Sequence, residues 1–237
     1  MNFVRSVLFA GWLYLSMPVY AIGMSPALLM PHRYAMFVVQ SWARGVLFGL
    51  RWIGGIEVEF RNLQYRPDGA ALVASKHQSM LDIVALLAVL RDPCFVMKKE
   101  LVYMPFLGWF AWKTRMIAVD RAGHATALRD MTRQARERLL EHRQIIIFPE
   151  GTRNTPGAPG EYKPGVAAIY RDLQASCALV ATNSGEHWPA HGIRFVPGKV
   201  VFEFLEPAPA GMKRGPFMAL LESRIEPASV ALLETKG

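Results

Sequence analysis

A histidine and an aspartate stand five positions apart in the segment Lys76–Asp82 (KHQSMLD), which lies between two apolar stretches. A carboxylate on one nitrogen of an imidazole fixes its tautomer and leaves the other nitrogen free to accept a proton. If a helix begins near Met80, Asp82 lies in its first turn and the preceding loop can fold His77 back towards it. The spacing therefore predicts a general base, His77, that is oriented by Asp82.

A purely structural interpretation of the same segment is also open. Ser79 is a suitable N-cap for the helix, and Asp82, three positions later, would be the acid of a capping box. This arrangement explains Ser79 and Asp82 without any catalysis. It gives no reason for His77, which stands just before the turn, where a side chain can face solvent or a ligand.

A second polar group follows the most apolar strand-like segment of the chain, residues 145–148. The sequence Phe148–Arg153 (FPEGTR) combines a glycine, which allows close backbone approach, with a hydroxyl and a guanidinium. A guanidinium is a planar fork of donors that suits a phosphate, so the segment indicates an anion site. The alternative is a simple turn in which Glu150 and Arg153 form a solvated salt bridge. Two other cations follow strand-like segments, Arg121 in the triplet VDR and Lys98 after residues 94–97.

In chain order, the HxxxxD pair, the VDR triplet and the FPEGTR hexapeptide resemble the glycerolphosphate acyltransferase superfamily. Within it, the chain is most similar to the 1-acylglycerol-3-phosphate O-acyltransferases, over roughly Gly55 to Pro207. Residues 178–181 resemble the family's fourth block, which usually bears a proline that this chain lacks. Lys76 stands where the family often has asparagine.

The resemblance implies acyl transfer from a thioester, acyl-CoA or acyl carrier protein, to the sn-2 hydroxyl of 1-acylglycerol-3-phosphate, which gives phosphatidic acid. It implies that His77 is the general base and that Asp82 orients it. It further implies that six residues hold the acceptor phosphate or shape its pocket: Lys98, Arg121, Glu150, Gly151, Thr152 and Arg153. No cofactor is expected besides the acyl thioester as co-substrate.

Two other hypotheses remain open. The acceptor could be another lysolipid, such as a lyso-ornithine lipid, or the chain could be a non-catalytic membrane lipid-binding module. The His77/Asp82 pair argues against the module, because binding alone needs no base. No metal site is expected either, because Pro189 interrupts the spacing between His187 and His191.

The sequence also argues against an acyl-enzyme. It contains no GxSxG nucleophile motif, and Cys94 and Cys177 lie in apolar, strand-like segments. A hydrolase of the serine class is therefore disfavoured. For the same reason, the acyl group is expected to pass directly from the thioester to the acceptor.

From Gly55 onward, short strand-like and helical segments alternate along the chain. This alternation predicts an α/β domain over residues 55–237, and the family resemblance implies a mixed, largely parallel sheet flanked by helices. Loops beyond the ends of such strands are where ligands usually bind. The last helical region, residues 216–233, is expected to break at Pro227.

Residues 1–54 are predicted to form membrane-associated helices. No fixed charge lies between Arg5 and Arg33, and the 26 residues from Ser6 to Pro31 would measure about 39 Å as a helix, against roughly 30 Å of bilayer hydrocarbon. The run is interrupted by Pro18, Pro26 and Pro31. These prolines predict a broken or shallowly embedded helix. A second apolar stretch, residues 34–53, carries tryptophans and arginines that suit the headgroup boundary.

The overall composition agrees with a lipid neighbour. Of the 237 residues, 52% are hydrophobic and 19% charged, which excludes a disordered chain, and the net charge of +8 suits nucleic acid or anionic lipid. Nucleic acid is not expected as a partner, because no binding motif is present. Membrane attachment, at the cytoplasmic face of the inner membrane, is the prediction. A cleaved signal peptide and a pair of ordinary core helices are the alternatives.

Overall fold

Seven strands form one mixed sheet in the residues that the computed structural model describes, 2–120, 124–158 and 160–234. The strands are β1 (Ile56–Arg61), β2 (Ala71–Ser75), β3 (Pro93–Lys98), β4 (Ile117–Val119), β5 (Gln144–Ile147), β6 (Cys177–Thr182) and β7 (Gly198–Ala208). Their order across the sheet is β1-β7-β6-β2-β5-β3-β4, and only the β6–β7 pair is antiparallel. The predicted mixed, largely parallel sheet flanked by helices is confirmed.

Eight α-helices accompany the sheet within the same described residues. They are α1 (Asn2–Gly23), α2 (His32–Gly49), α3 (Leu81–Val89), α4 (Leu107–Lys113), α5 (His124–Leu140), α6 (Gly165–Leu173), α7 (Ser184–His187) and α8 (Arg214–Glu234). Single turns of other helix types are Ser25–Leu29, Leu50–Gly54, Leu63–Tyr65 and Lys99–Tyr103.

The helices cover both faces of the sheet. Strand β5 lies between β2 and β3 and has a helical layer on each side, which explains its run of three isoleucines after Gln144. Ile146 packs into the core shared with α1, α2 and α3, whereas Ile145 and Ile147 pack into the core shared with α5, α6 and α8. Because β2 and β5 pair in parallel, their carboxyl ends emerge side by side.

The N-terminal segment shares the core of the α/β domain. Phe9 of α1 makes edge-to-face contacts with Trp188 and Phe195, at ring-centroid distances of 5.4 and 4.9 Å. Ser6 Oγ accepts the backbone N–H of Phe195 at 3.1 Å. The division of the chain at residue 54 was drawn from composition, and it stays a prediction.

Two expected helix breaks are wrong. Helix α1 continues through Pro18, and α8 continues through Pro227. In each case buried residues lie on both sides of the proline, as Leu13 and Ala21 do in α1. Tertiary packing of these residues outweighs the backbone hydrogen bond that the proline cannot donate. The other two N-terminal prolines do mark ends, since α1 stops before Pro26 and Pro31 directly precedes α2.

The outer faces of the N-terminal helices carry large apolar side chains. Phe3–Gly23 is long and apolar enough to cross a bilayer, and only 28% of its most apolar window is buried in the protein. Leu29, in the turn between α1 and α2, is 92% exposed. Helix α4 packs against this region and adds exposed Trp109 and Trp112. An ordinary core helix would bury such residues.

Candidate active site

The predicted histidine–aspartate pair is formed at the end of β2. His77 Nδ1 lies 2.9 Å from Asp82 Oδ2, in the first turn of α3. The same oxygen accepts the backbone N–H groups of Gln78 and Ser79, at 2.7 and 2.9 Å. Asp82 therefore closes the turn, as the structural interpretation predicts, and its carboxylate also contacts the imidazole. The catalytic role of the pair stays a prediction. Because the carboxylate accepts at Nδ1, Nε2 is the nitrogen left to act as a base.

The second oxygen of Asp82 has a partner that the sequence analysis missed. Ser184, at the start of α7 after β6, donates its hydroxyl to Asp82 Oδ1. Ser79 donates to Ser184 Oγ at 3.0 Å and accepts the N–H of Leu81 at 3.1 Å. Asp82 is fully buried. Both of its oxygens are thus satisfied inside the protein, as a buried carboxylate requires.

The imidazole plane is fixed by stacking on Phe148, at a centroid distance of 3.8 Å and an interplanar angle of 13°. Phe148 follows β5, so the first residue of FPEGTR holds the predicted base. Parallel pairing of β2 with β5 makes this contact possible across 71 positions of sequence. The two motifs are therefore parts of one site.

Glu150 joins the two turns through its carboxylate. Its Oε2 accepts the backbone N–H of His77 at 2.8 Å, and its Oε1 lies 2.5 Å from Lys76 Nζ. Burial raises the pKa of Glu150, and the Lys76 ammonium opposes that rise. The alternative of a simple turn with a Glu150–Arg153 salt bridge is wrong, because Arg153 instead donates to the carbonyl of Ala190 at 2.8 Å.

Most of the predicted binding residues line one cavity of about 1010 Å³ together with His77. They are Lys98, Glu150, Gly151, Thr152 and Arg153. Gly151 has φ of 69°, a left-handed conformation that favours glycine. Arg121 lies outside the described residues. The substrate contacts of all these residues stay predictions.

The cavity has a cationic end and an apolar body. Near FPEGTR, Lys163 adds to its cationic lining, and His191 lines the cavity as well; the sequence analysis selected neither residue. Lys163 could have been found as the next lysine after FPEGTR in a polar loop. The apolar body reaches between α1, α2, α3 and α4, where it is lined by Tyr20, Val38, Trp42, Leu87, Phe106 and Phe110. Such a space can hold a hydrocarbon chain with its polar end at His77.

The cysteines offer no nucleophile to this site. Both are free and buried, and burial raises the pKa of Cys94 to about 11 and that of Cys177 to about 12. Neither thiol is ionised at neutral pH, and the thiolate is the nucleophilic form. Among the described residues, no cluster of His, Cys, Asp and Glu side chains is suited to a metal ion.

Comparisons with known proteins find similarity to acyltransferases. A family model described as acyltransferase matches residues 57–184. The 1-acyl-sn-glycerol-3-phosphate acyltransferase of Pseudomonas aeruginosa is 34% identical over 202 residues, which cover 83% of this chain and 77% of that protein. The 1-acyl-sn-glycerol-3-phosphate acyltransferase alpha of Ovis aries is 29% identical over 185 residues, 76% of this chain and 64% of that protein.

A solved structure shows the same fold. The crystal structure of the 1-acyl-sn-glycerophosphate (LPA) acyltransferase PlsC from Thermotoga maritima superposes with a TM-score of 0.83 at 22% identity. The match covers 100% of this chain and 99% of that chain. The N-terminal helices are therefore included in the shared fold.

Proposed function

This chain belongs to the acyltransferase family, and we propose that it acylates the sn-2 hydroxyl of 1-acylglycerol-3-phosphate to give phosphatidic acid. The observation that carries the proposal is the placement of His77, oriented by Asp82, at the cationic end of a long apolar cavity. The name of the Pseudomonas aeruginosa relative supports this acceptor.

The proposed chemistry is general-base catalysis of direct transfer. A lipid hydroxyl is too weak an acid to ionise beforehand, so His77 Nε2 takes its proton while the oxygen attacks the thioester carbonyl. When the tetrahedral intermediate collapses, the carbon–sulfur bond breaks and the imidazolium returns the proton to the leaving thiolate. General-base catalysis of this kind typically contributes about 10²–10⁴-fold in rate. The burial of both cysteines supports transfer without an acyl-enzyme.

The acceptor phosphate is proposed to bind at the cationic end of the cavity. Arg153 lies at that end, Lys98 lines the same cavity, and Arg121 is assigned to the same role by the family resemblance. One Arg153 nitrogen is engaged by Ala190, which holds the guanidinium in place. A fixed phosphate would orient the sn-2 hydroxyl towards His77, and orientation of reactants can contribute roughly 7–11 kcal/mol.

The reaction is proposed to take place on a membrane, at the cytoplasmic face of the inner membrane. The exposed apolar faces of α1, α2 and α4 support this attachment, as does the net charge of +8, which favours anionic lipid. The apolar body of the cavity lies between these same helices. A lysolipid could therefore keep its acyl chain in apolar surroundings throughout.

One assay separates the proposed function from its alternatives. Purified protein is incubated with labelled acyl-CoA or acyl carrier protein and a panel of lysolipids that includes lysophosphatidic acid and lyso-ornithine lipid. We expect labelled phosphatidic acid as the main product. Acylation of the lyso-ornithine lipid instead would show that this lipid is the acceptor. Lipid binding without acyl transfer would show a non-catalytic lipid-binding module.

A variant tests the phosphate site within the same assay. Arg153→Ala should raise the KM for lysophosphatidic acid strongly while the KM for the acyl donor changes little, because a charged, bidentate contact is lost. Arg171→Ala removes an exposed arginine that pairs with Asp172 and serves as the control. An unchanged acceptor KM in Arg153→Ala would remove its phosphate role.

A further inference from the structure

A buried lysine lies next to the candidate base with a carboxylate on either side. The Lys76 side chain is 1% exposed, and its Nζ lies 2.5 Å from Glu150 Oε1 and 2.7 Å from Glu226 Oε1. Lysines are almost never fully buried unless they are paired. A buried ion pair often contributes no more stability than apolar residues of the same volume. The cluster therefore calls for a role other than holding the fold together.

The contacts of the cluster lead directly to the backbone of His77. Glu150 bonds Lys76 through one carboxylate oxygen and the His77 N–H through the other. Asn154 donates its side-chain amide to Glu150 Oε1 at 3.1 Å and its backbone N–H to the His77 carbonyl at 2.9 Å. Glu150 thus holds the backbone N–H of His77 directly, and through Asn154 it is linked to the His77 carbonyl.

The other side of the cluster belongs to the C-terminal helix α8. Glu226 holds Lys76 Nζ with both carboxylate oxygens, at 2.7 and 2.8 Å, and accepts the hydroxyl of Tyr162 at 2.9 Å. One turn further along α8, Ser229 Oγ accepts the N–H of Thr182 at 3.4 Å, at the end of β6. This strand leads into Ser184, the partner of Asp82. Helix α8 therefore contacts the surroundings of the site at two points, Lys76 and Thr182.

We infer that Lys76 and Glu226 are positioning residues for acyl transfer. Glu226 anchors the Lys76 ammonium to α8, the ammonium holds the Glu150 carboxylate, and that carboxylate fixes the peptide of His77. Neither residue is assigned a contact with substrate. The inference rests on the proposed function and deepens it, because it extends the site to a helix beyond the matched family segment, residues 57–184.

The electrostatics of the cluster give the inference a signature in pH. Burial raises the pKa of Glu150, while Lys76 provides the charge that lowers it. The other groups that face the cluster are Glu222 and Glu226 on α8 and the neutral Tyr162, whose pKa is raised by burial and by these carboxylates. Without Lys76, Glu150 would bind a proton at a higher pH than in the wild type. The working state has Glu150 ionised, so transfer by such a variant falls off earlier as the pH is lowered.

The first experiment replaces the ammonium by an apolar side chain of similar length. Lys76→Met is assayed in the full-length, membrane-bound protein with lysophosphatidic acid and acyl-CoA. Misplacement of a reacting group by about 1 Å can cost about 10²-fold, so we expect kcat to fall by that order while both KM values change little. The acid limb of the pH–rate profile should move to higher pH. A wild-type kcat and pH profile would overturn the inference.

The second experiment returns the ammonium from the other helix. A lysine at position 226 is longer than the glutamate, and it can place its nitrogen near the point that Lys76 Nζ occupies. We expect Lys76→Met combined with Glu226→Lys to recover at least about tenfold in kcat, the order of a hydrogen bond to a charged group. A role of Lys76 in filling space alone predicts no recovery, and that result would overturn the inference.

A milder variant keeps the test decisive if Lys76→Met does not fold. Glu226→Gln retains the size of the side chain and halves its charge-assisted contacts, so we expect roughly a tenfold lower kcat with an unchanged thermal midpoint. Arg224→Gln is the matched control on the same helix, since it breaks only an exposed pair with Glu206 at 3.2 Å. Equal kcat values in the two variants would overturn the inference.

The wild type distinguishes failure of this inference from failure of the proposed function. If the wild type acylates a different lysolipid, the acceptor in the proposed function is wrong, and the same variants are assayed on that lipid. If the wild type makes phosphatidic acid and the variants match it, only the positioning role is wrong.

Discussion

The cationic end and the apolar body of the cavity are built in opposite ways. Around His77, directional contacts fix each group: Asp82 accepts from the imidazole and from Ser184, and Glu150 accepts from the His77 backbone. Around the apolar body, α1, α2 and α4 meet through side chains such as Val38 and Phe110, and their outer faces expose large apolar residues.

This difference predicts how each region responds to change. A hydrogen bond to a buried charge has one good geometry, so its loss leaves a group unsatisfied and affects the rate directly. Apolar packing is non-directional and scales with area, so changes there are graded. Substitutions at the cationic end should therefore alter kcat, and substitutions around the apolar body should alter which lipids are used and how the protein meets the bilayer.

The largest effect is expected at the base itself. His77→Ala removes the only group assigned to take the hydroxyl proton, so transfer should fall by at least the roughly 10²–10⁴-fold that a general base contributes. The measurement is acyl transfer to lysophosphatidic acid, with circular dichroism to show that the fold is kept. His142→Asn, at an exposed position with φ of 59° that asparagine tolerates, is the control. Full activity of His77→Ala would refute the assignment.

A smaller loss is expected one contact further from the base. Ser184→Ala removes the hydroxyl that Asp82 Oδ1 accepts, and a hydrogen bond to a charged group corresponds to roughly tenfold or more. We expect this loss in kcat with an unchanged KM for both substrates. Ser223→Ala, whose exposed hydroxyl donates to the carbonyl of Leu220 on the outer side of α8, should match the wild type. A change confined to KM would contradict the role given to Ser184.

The apolar body should respond in selectivity. Ala111 lines the cavity on α4, and Ala111→Leu would fill part of the space, at a cost of about 1–3 kcal/mol if packing is strained. We expect the products to shift severalfold towards shorter acyl chains, as measured by mass spectrometry of phosphatidic acid made from mixed chain lengths. Ala210→Leu, at an exposed position, is the control. A uniform drop for all lengths would argue that this part of the cavity holds no chain.

The smallest effect on chemistry is expected at the outer surface. Leu29→Ser removes a 92% exposed apolar side chain in the turn between α1 and α2. Full burial of a leucine contributes roughly 1.5–3 kcal/mol, and an interface buries part of it, so binding to anionic vesicles should weaken severalfold. Transfer measured in detergent should be unchanged. Equal sedimentation of variant and wild type with vesicles would show that this turn does not contact the membrane.

The sequence was sufficient for the parts of the site whose partners are local. His77 and Asp82 lie within one turn, and the apolar run before FPEGTR identifies a buried strand that ends in a polar loop. The meeting of these two segments was suggested by family resemblance, and its physical basis is the pairing of β2 with β5. Local spacing alone contains no information on which strands are neighbours.

The missed contacts are those that depend on topology. Ser184 reaches Asp82 because β6 lies beside β2. Glu226 reaches Lys76 because α8 packs against β6, on the face of the sheet opposite to α3. Both pairs are separated by 100 or more residues, so no motif brings them together. The continuous helices through Pro18 and Pro227 were missed for a related reason, since packing on both sides decides the outcome there.

The pairing of β2 with β5 has a consequence for the timing of the catalytic cycle. Backbone hydrogen bonds join the two strands up to Ala74 and Ile147, three residues before His77 and directly before the FPEGTR loop. His77 and the FPEGTR loop therefore cannot move apart unless these hydrogen bonds between β2 and β5 break. Any movement that widens the cavity is therefore expected at α2 and α4, whose mutual contacts are apolar. These helices, rather than the strands that carry the reacting groups, would set the pace of product release, and their amide protons should exchange fastest during turnover.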